Sequence, residues 1–588
     1  MKRANAVTRF SLWQLIGACG AIVAAGVVLY WHTLDYGYTD LDDLIFVRER
    51  ESFNRDAANL WRSLSRGVFA DSGDTYYRPL LLWTFIADRH REGRIAQQLH
   101  AEGSPRDSLR TYRTTNLLLH IVATLLVFAV MRRLLQHDAI AWLAAMVFAV
   151  HPALVQAVAW IPGRNDSMLG IVALSYTLAA IAWIERQRWW LIALQLALLV
   201  VAMLTKETAL LVGPTVLAAL ALWRWEGSRT FRALVLPLGA WLAASIVWAL
   251  LRAGATVEPL PTDPVQLATI LWERLPLYVQ YLGKAIVPVE LSVFPRMEDT
   301  SLVPGIVALA LVALLVWRGM PKQAWRVVAA AAVWYLLFLL PALVVPREIN
   351  QEAYEHRLYV PIVGVLWLVG RSVVRFRLDR VMATGAAVVL AFAAIAWQRT
   401  ESFRDRIVFW EEAVRTSPHS AYARMMLGAR YYLDKVRPRK ADGERLLWEA
   451  YRMDSTQKYI NYYIGNLYWD REDFARAKIH YERELAKIPS WPELYFRLAR
   501  IAFEEKKLDS ARILLERQLV LSPDDAQANH NLLLLYLDTG RLGDARRQAE
   551  RMRRRGLPVP PDVQQRLDAA SPSTVPQETT GTSPAVSP

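Results

Sequence analysis

Cysteine is all but absent. Cys19 is the single thiol of the chain, which excludes an intramolecular disulfide and any cysteine-cluster metal site and leaves the redox compartment unreadable. Glycine-rich phosphate loops, zinc-type histidine spacings and nucleophile elbows are missing too, so nucleotide-binding and hydrolase readings have no support. What the chain has instead is apolar length. Of its 588 residues 54% are hydrophobic, too many for one soluble globule, so part of it belongs in lipid. The excess of 69 Lys and Arg over 55 Asp and Glu gives a formal charge of +14. In a membrane chain this reads as basic anchors beside the spans, with no nucleic-acid partner needed.

The N-terminus begins with Lys2-Arg3 and enters an apolar run at Leu12. The run continues past Cys19 to Trp31 without a small-residue cleavage pattern, long enough for a hydrocarbon core of roughly 30 Å. It is therefore read as a retained span, not as a signal peptide or a lipoprotein leader at Cys19.

Apolar runs recur near 12–31, 115–131, 139–150, 167–184, 189–204, 208–223, 233–251, 302–317, 325–345, 358–370 and 381–397. They predict a polytopic all-α domain of about eleven transmembrane helices over residues 1–400. Basic clusters at Lys2-Arg3, Arg132-Arg133, Arg186 with Arg188, Arg224 to Arg232, Arg318 to Arg326 and Arg371 to Arg380 fall on alternate loops, so all can be cytoplasmic together. The opposite side then receives the long loop 32–112, the segment after His151, Lys206-Glu207, the proline-rich loop from Val257 to Ser301, the loop around Glu355, and everything after Gln398. The amphipathic stretch Gln266 to Val287 is expected to lie on that surface as one interfacial helix.

After Trp397 the chain becomes charged and periodic. Ala477, Ala511 and Ala545 recur every 34 residues, as do Tyr468, Ala502 and Tyr536, and Pro489 and Pro523. That is the tetratricopeptide period, and Leu427-Gly428-x-x-Tyr431 and Ile464-Gly465-x-x-Tyr468 carry its first-helix signature. The spacing predicts a repeat α-solenoid over 401–570, with a half-repeat entering at Trp410 to Pro418 and about three full units following. Residues 571–588, rich in Ser, Thr and Pro, are expected to be disordered.

Candidate chemistry sits on the outer face. Asp40, Asp42 and Asp43 follow the first span; crowded acids raise one another's pKa, which suits a general base, while the alternative is a helix N-cap or a solvated loop. Arg78, in Tyr76-Tyr77-Arg78-Pro79, is either a bidentate phosphate ligand or an interfacial anchor. His151, Arg164 and Asp166 interrupt an apolar context, and charges so near lipid are functional candidates. Lys206-Glu207 joins two spans with almost no loop, as a site or as a structural salt bridge. Glu355, His356 and Arg357 enter a span directly from the outer side. His120, within the second span, reads as a packing residue.

Taken in order, these features resemble the transmembrane and tetratricopeptide-repeat-containing O-mannosyltransferases of the GT-C glycosyltransferase superfamily. The resemblance rests on Asp42-Asp43, Leu60-Trp61, Val68-Phe69, Tyr77-Arg78-Pro79, Asn116 to His120, Phe148 to Pro152, Ala157 to Trp160, Gly163-Arg164, Lys206-Glu207, Arg357-Leu358-Tyr359-Val360-Pro361 and the repeats. It implies a sugar, mannose or another hexose, carried on a polyprenyl phosphate and transferred to Ser or Thr hydroxyls on the non-cytoplasmic face by an inverting route. It makes Asp42 or Asp43 the base, and Arg78, Arg164, Lys206 and Arg357 the candidates to offset charge on the departing phosphate. His151, Asp166, Glu207, Glu355 and His356 complete the expected substrate-binding set, without a metal site and with divalent-ion dependence left open. The Ala, Arg and Trp-rich composition, short repeat array and lack of a retention signal point to a bacterial inner membrane, with the repeats in the periplasm docking a polypeptide acceptor. Three readings compete with this one: a non-enzymatic membrane scaffold for envelope proteins, a GT-C enzyme acting on a lipid or glycan acceptor, and a transporter of lipid-linked sugars.

Overall fold

The computed structural model describes residues 9–69, 75–99, 109–224, 228–255, 263–345, 352–435 and 438–569. Among them the chain is all-α, without a β-strand. The Lys2-Arg3 cluster and the tail 571–588 lie outside the described residues.

The chain divides into two units, Met1–Ala423 and Arg424–Pro588. Hydropathy falls near residue 400, but the division comes later because the helix Arg406–Thr416 belongs to the first unit. Its Trp410 is fully buried and packs 5.6 Å from the Phe294 ring, and its Thr416 hydroxyl lies 2.7 Å from that of Ser292.

In the first unit all eleven apolar runs fold as helices. Six are long and apolar enough to cross a membrane, and the bent pair Asp138–Ala149 with Pro152–Ala159 makes a seventh. Trp189–Thr205, Glu207–Trp223, Val303–Gly319 and Ile362–Val373 are shorter. At 12 to 17 residues these four rise about 18 to 26 Å. The chain is a multi-pass membrane protein. The spans Arg110–Leu135 and Ile161–Arg186 are the most enclosed, 56% and 67% buried, whereas Leu378–Phe403 is 6% buried and Arg232–Ala253 is 22% buried. The outer spans accordingly display Leu250, Trp317 and Leu390, an apolar surface suited to lipid and not to water.

Local sequence sets where these helices start and stop. Ser11 caps Leu12–Tyr30 in a reciprocal pair with Gln14. Arg110–Leu135 ends on left-handed Gln136, and Arg164–Arg186 on left-handed Gln187, each with arginine in the last turn facing the negative end of the dipole. His151 breaks the third span: its ring caps a short turn begun by Pro152, and the two halves meet at 51°.

The stretch expected as one interfacial helix is two, Pro264–Arg274 and Pro276–Ile286. Pro276 has no N–H to continue the first ladder and opens the second helix instead. The first half leaves Val265 and Trp272 exposed, but the second buries Leu277, Gln280, Tyr281 and Lys284, so only the first half has the surface character expected of the whole.

In the second unit, helices pair in succession: Ile460–Trp469 with Phe474–Lys487, Pro492–Glu504 with Leu508–Leu521, and Ala526–Asp538 with Leu542–Arg554. Ala477, Ala511 and Ala545 are all buried in the second helix of their pair. A Cβ on Gly465 would sit 2.6 Å from the Tyr481 ring, so only glycine permits that approach.

Candidate active site

The turn after the first span is built around Asp43. Its carboxylate accepts the Thr39 N–H at 2.6 Å, the Thr39 hydroxyl at 3.1 Å and the Leu44 N–H at 3.1 Å, and it is fully buried. Asp40 takes a left-handed conformation (φ 58°) to close this turn, and the Asp42 carbonyl accepts the Phe46 N–H as the next helical turn begins. Neither Asp40 nor Asp42 therefore uses its side chain as an N-cap. Asp42 is left facing Arg78. Among the described residues its carboxylate accepts no hydrogen bond and makes no ion pair. Burial, and then the negative charge of Asp43, push its pKa up to about 6, with Arg78 opposing.

Arg78 comes from the far end of the same loop. Its Nε donates to Glu207 Oε2 at 2.9 Å, the Tyr77 N–H donates to Glu207 Oε1 at 2.6 Å, and the guanidinium lies 4.3 Å from the Tyr76 ring centroid. Glu207 opens the short turn Glu207–Leu211 between two apolar helices, and Lys206 before it has extended backbone that turns its side chain the other way. Lys206 Nζ donates to Asp166 Oδ1 at 2.7 Å. Burial lowers the Lys206 pKa, Asp166 raises it, and Arg78 and Arg357 lower it further, so the three cations share one field.

Asp166 lies in the first turn of Arg164–Arg186, where the helix dipole favours an acid. Its Oδ2 has no hydrogen-bond partner and faces His356 Nε2 at 3.9 Å, too long for a hydrogen bond. Burial, then Lys206, Arg357 and Arg78, hold the His356 pKa well below the usual range, so the ring stays neutral. Arg357 donates to the Glu352 carbonyl at 2.9 Å and lies 5.6 Å from the Tyr354 ring. Among the described residues it makes no ion pair with a carboxylate.

The structure thus gathers Asp42, Arg78, Asp166, Lys206, Glu207, His356 and Arg357, and places four other expected site residues elsewhere. Arg164 is fully buried, with its donors spent on Asn116, Asp88, Thr84 and the Ile161 and Tyr112 carbonyls, including 2.6 Å to Asp88 Oδ2. Full burial and an ion pair to Asp88 leave this guanidinium committed to holding the fold together. His151 uses both ring nitrogens, one 3.0 Å from the Ala285 carbonyl and one accepting the Ala153 N–H at 3.2 Å. Glu355 is fully buried and bonded to Lys284 Nζ at 2.9 Å, to Arg399 and to the Ser292 N–H at 2.9 Å. Asp43, as described, is bound inside its own turn. These four hold the backbone on which the others stand.

His120 acts as the expected packing residue, with Tyr359 Oη at 2.8 Å and the Ala149 carbonyl at 3.0 Å. The sequence did not single out Arg113, Asp88, Tyr354, Lys284 or Arg399. Arg113 is 2% exposed and donates to the Tyr36, Gly37 and Ala159 carbonyls, tying the acidic turn to the bent span. The signal was present, since Arg113 opens a span, but an arginine at a span end reads as an interfacial anchor. Among the described residues there is no grouping of three or more His, Cys, Asp or Glu able to hold a metal ion.

Residues 106–251 match the family model described as dolichyl-phosphate-mannose-protein mannosyltransferase. That segment holds Asp166, Lys206 and Glu207 but not Asp42, Arg78 or Arg357. The chain is 33% identical over 201 residues to the protein O-mannosyl-transferase Tmtc1 of Drosophila melanogaster, a match covering 34% of this chain and 22% of the relative. The chain thus spans about a fifth of that curated relative. Among solved structures, the oligosaccharyltransferase of Archaeoglobus fulgidus, crystallised with a tethered acceptor peptide, aligns with a TM-score of 0.37 and 13% identity, over 75% of this chain and 59% of that one. The segment matched by the mannosyltransferase model includes the spans that carry Asp166 and Lys206.

Proposed function

We propose that the chain is an integral-membrane GT-C-type glycosyltransferase that moves a sugar from a polyprenyl-phosphate carrier to Ser or Thr hydroxyls of exported polypeptides on the non-cytoplasmic face. The observation that carries this reading is Asp42: an uncommitted carboxylate with a raised pKa in the field of Arg78, a cation that in turn shares its field with Lys206 and Arg357. The family match over residues 106–251 supports the reaction class.

In this reading Asp42, not Asp43, is the base, because Asp43 has its oxygens occupied by Thr39 and Leu44. The acceptor hydroxyl oxygen forms a bond to the anomeric carbon as the bond from that carbon to the phosphate oxygen breaks, and Asp42 takes the hydroxyl proton. A base whose pKa lies near 6 is ionised at neutral pH yet basic enough to contribute on the order of a hundredfold or more. The leaving group is the polyprenyl phosphate. Arg357, free of any carboxylate among the described residues, is its first ligand, with Arg78 and Lys206 adding positive potential. Glu207 and Asp166 orient those two cations. Inversion follows from a single displacement without an enzyme-bound sugar. The paired helices of the second unit, with their 34-residue period, serve as a tetratricopeptide solenoid that docks the acceptor in extended form. In a bacterial cell the outer face is the periplasm and the carrier is undecaprenyl phosphate.

The test is intact-mass analysis of exported proteins from cells with the wild type, a deletion, or Asp42→Asn at equal membrane abundance. Loss of hexose-sized adducts in both altered strains supports the reading. Adducts that persist with Asp42→Asn but vanish on deletion remove Asp42 as base and favour a scaffold role; no change in either strain overturns protein glycosylation.

A further inference from the structure

The acidic turn that carries Asp42 is held from outside by a segment more than 350 residues away in sequence. Four contacts join residues 32–40 to residues 400–406. His32 Nε2 lies 2.7 Å from the Thr400 hydroxyl, and Tyr36 Oη donates to Glu401 at 2.6 Å. The Gly37 N–H donates to the Arg404 carbonyl at 2.7 Å, and Arg406 Nε lies 3.4 Å from Asp40 Oδ2. On the other side Arg113 takes the Tyr36 and Gly37 carbonyls.

We infer that Arg406 is a positioning residue for the candidate catalytic base, acting through Asp40. Asp40 is the strained member of the turn: it is non-glycine at φ 58°, and its side chain is 1% exposed. Such a conformation persists where surrounding contacts over-determine it. A buried carboxylate is costly unless paired, and Arg406, itself half-exposed with a side-chain exposure of 43%, supplies the positive charge over it. Arg406 is in turn fixed. It is the first residue of Arg406–Thr416, whose N-cap Asp405 accepts the Ile407 and Val408 N–H groups at 2.9 and 3.0 Å. Two residues beyond Asp40 the backbone presents Asp42, and one further Asp43 bonds back to Thr39, so a shift at Asp40 moves the carboxylate that faces Arg78. The positional part of this inference stands on the contacts alone; its catalytic part rests on the glycosyltransferase reading.

Hydrogen exchange of the purified full chain, followed over residues 36–46, separates the two. Arg406→Gln is expected to raise exchange in that segment about tenfold while the helix Arg110–Leu135 keeps its protection. Arg406→Lys is expected to restore most of it, and Arg415→Gln, an exposed arginine on the same helix, to leave the segment unchanged. In sugar transfer, Arg406→Gln is expected to lower kcat about tenfold with KM for donor and acceptor within about twofold, as for a displaced base. Asp40→Asn, which tolerates the left-handed backbone, is expected to give the same loss, and the double variant no more than either single one. Unchanged exchange over 36–46 in Arg406→Gln overturns the inference, as does an equal rise throughout the first unit, which marks a folding role. An inactive wild type with the expected exchange pattern keeps the positioning role and overturns the glycosyltransferase reading instead.

Discussion

Glu207 holds Arg78 from behind, with Oε2 accepting from its Nε at 2.9 Å while Oε1 takes the preceding Tyr77 N–H at 2.6 Å. One carboxylate thus fixes the Arg78 side chain and the backbone of the residue just before it. Glu207→Gln keeps an oxygen for the N–H but discards the charge that orients the guanidinium. It is expected to lower kcat/KM by about ten- to a hundredfold, mainly through KM for the lipid-linked donor. Steady-state kinetics in detergent with a short-chain donor checks this; a change below about twofold would mean that Arg78 needs no clamp.

Asp42 and Asp43 should separate cleanly. Asp42→Asn removes the proposed base and leaves the turn intact, so transfer falls by about a hundredfold or more without any loss of melting temperature. Asp43→Asn strikes the acceptor of the Thr39 and Leu44 N–H groups and is expected to lose activity together with stability. Paired activity and thermal-melt measurements decide it. If Asp43→Asn is the more severe in activity at full stability, the two roles are reversed.

The Asp42 pKa of about 6 makes two statements about pH. Activity needs the ionised form, so kcat/KM should fall as pH drops through about 6 and level off above about 7. Stability runs the opposite way. A folded-state pKa above the ordinary 3.8 means the native state holds a proton that the unfolded chain gives up. The ionisation cost is absent below about pH 4, grows as pH rises through about 6, and is constant above that. Asp42→Asn should therefore melt higher than wild type near neutral pH, with the gap closing toward about pH 4. A gap that ignores pH would show that Asp42 has an ordinary pKa.

Glu355 is enclosed with Lys284 and Arg399, so single substitutions should unfold the domain without testing chemistry. Glu355→Gln leaves two cations buried against a neutral amide, which costs about 3 to 5 kcal/mol when one partner of a buried network is lost. Replacing all three by Glu355→Gln, Lys284→Met and Arg399→Met is expected to be milder than Glu355→Gln alone. Fluorescence-detected size exclusion across a temperature series measures both. A well-folded, inactive Glu355→Gln would return Glu355 to the site.

The sequence by itself determined the class of molecule. Long apolar runs need only hydropathy to be seen, and each folded as a helix because in lipid every backbone N–H and C=O must be satisfied within its own segment. The period that brings Ala477, Ala511 and Ala545 into the buried seams of the second unit was equally legible, since each pair repeats the same local packing. The residues of the candidate site were legible as a set, because charges at a membrane boundary stand out against apolar neighbours. Only the tertiary structure decided which of them are available. Arg164 and Arg357 look alike in sequence, one arginine beside an apolar span each. Yet Arg164 spends its donors on Asn116, Asp88 and backbone carbonyls, and Arg357 meets no carboxylate among the described residues. Asp42 and Asp43 are adjacent, and the return of the chain at Thr39 occupies one and leaves the other facing Arg78. Much of that availability depends on partners distant in the chain, as between Asp40 and Arg406, and no local pattern encodes such a pairing. Hydropathy and periodicity are properties of neighbours in the chain, whereas the freedom of a charged group is set by whatever the fold brings against it.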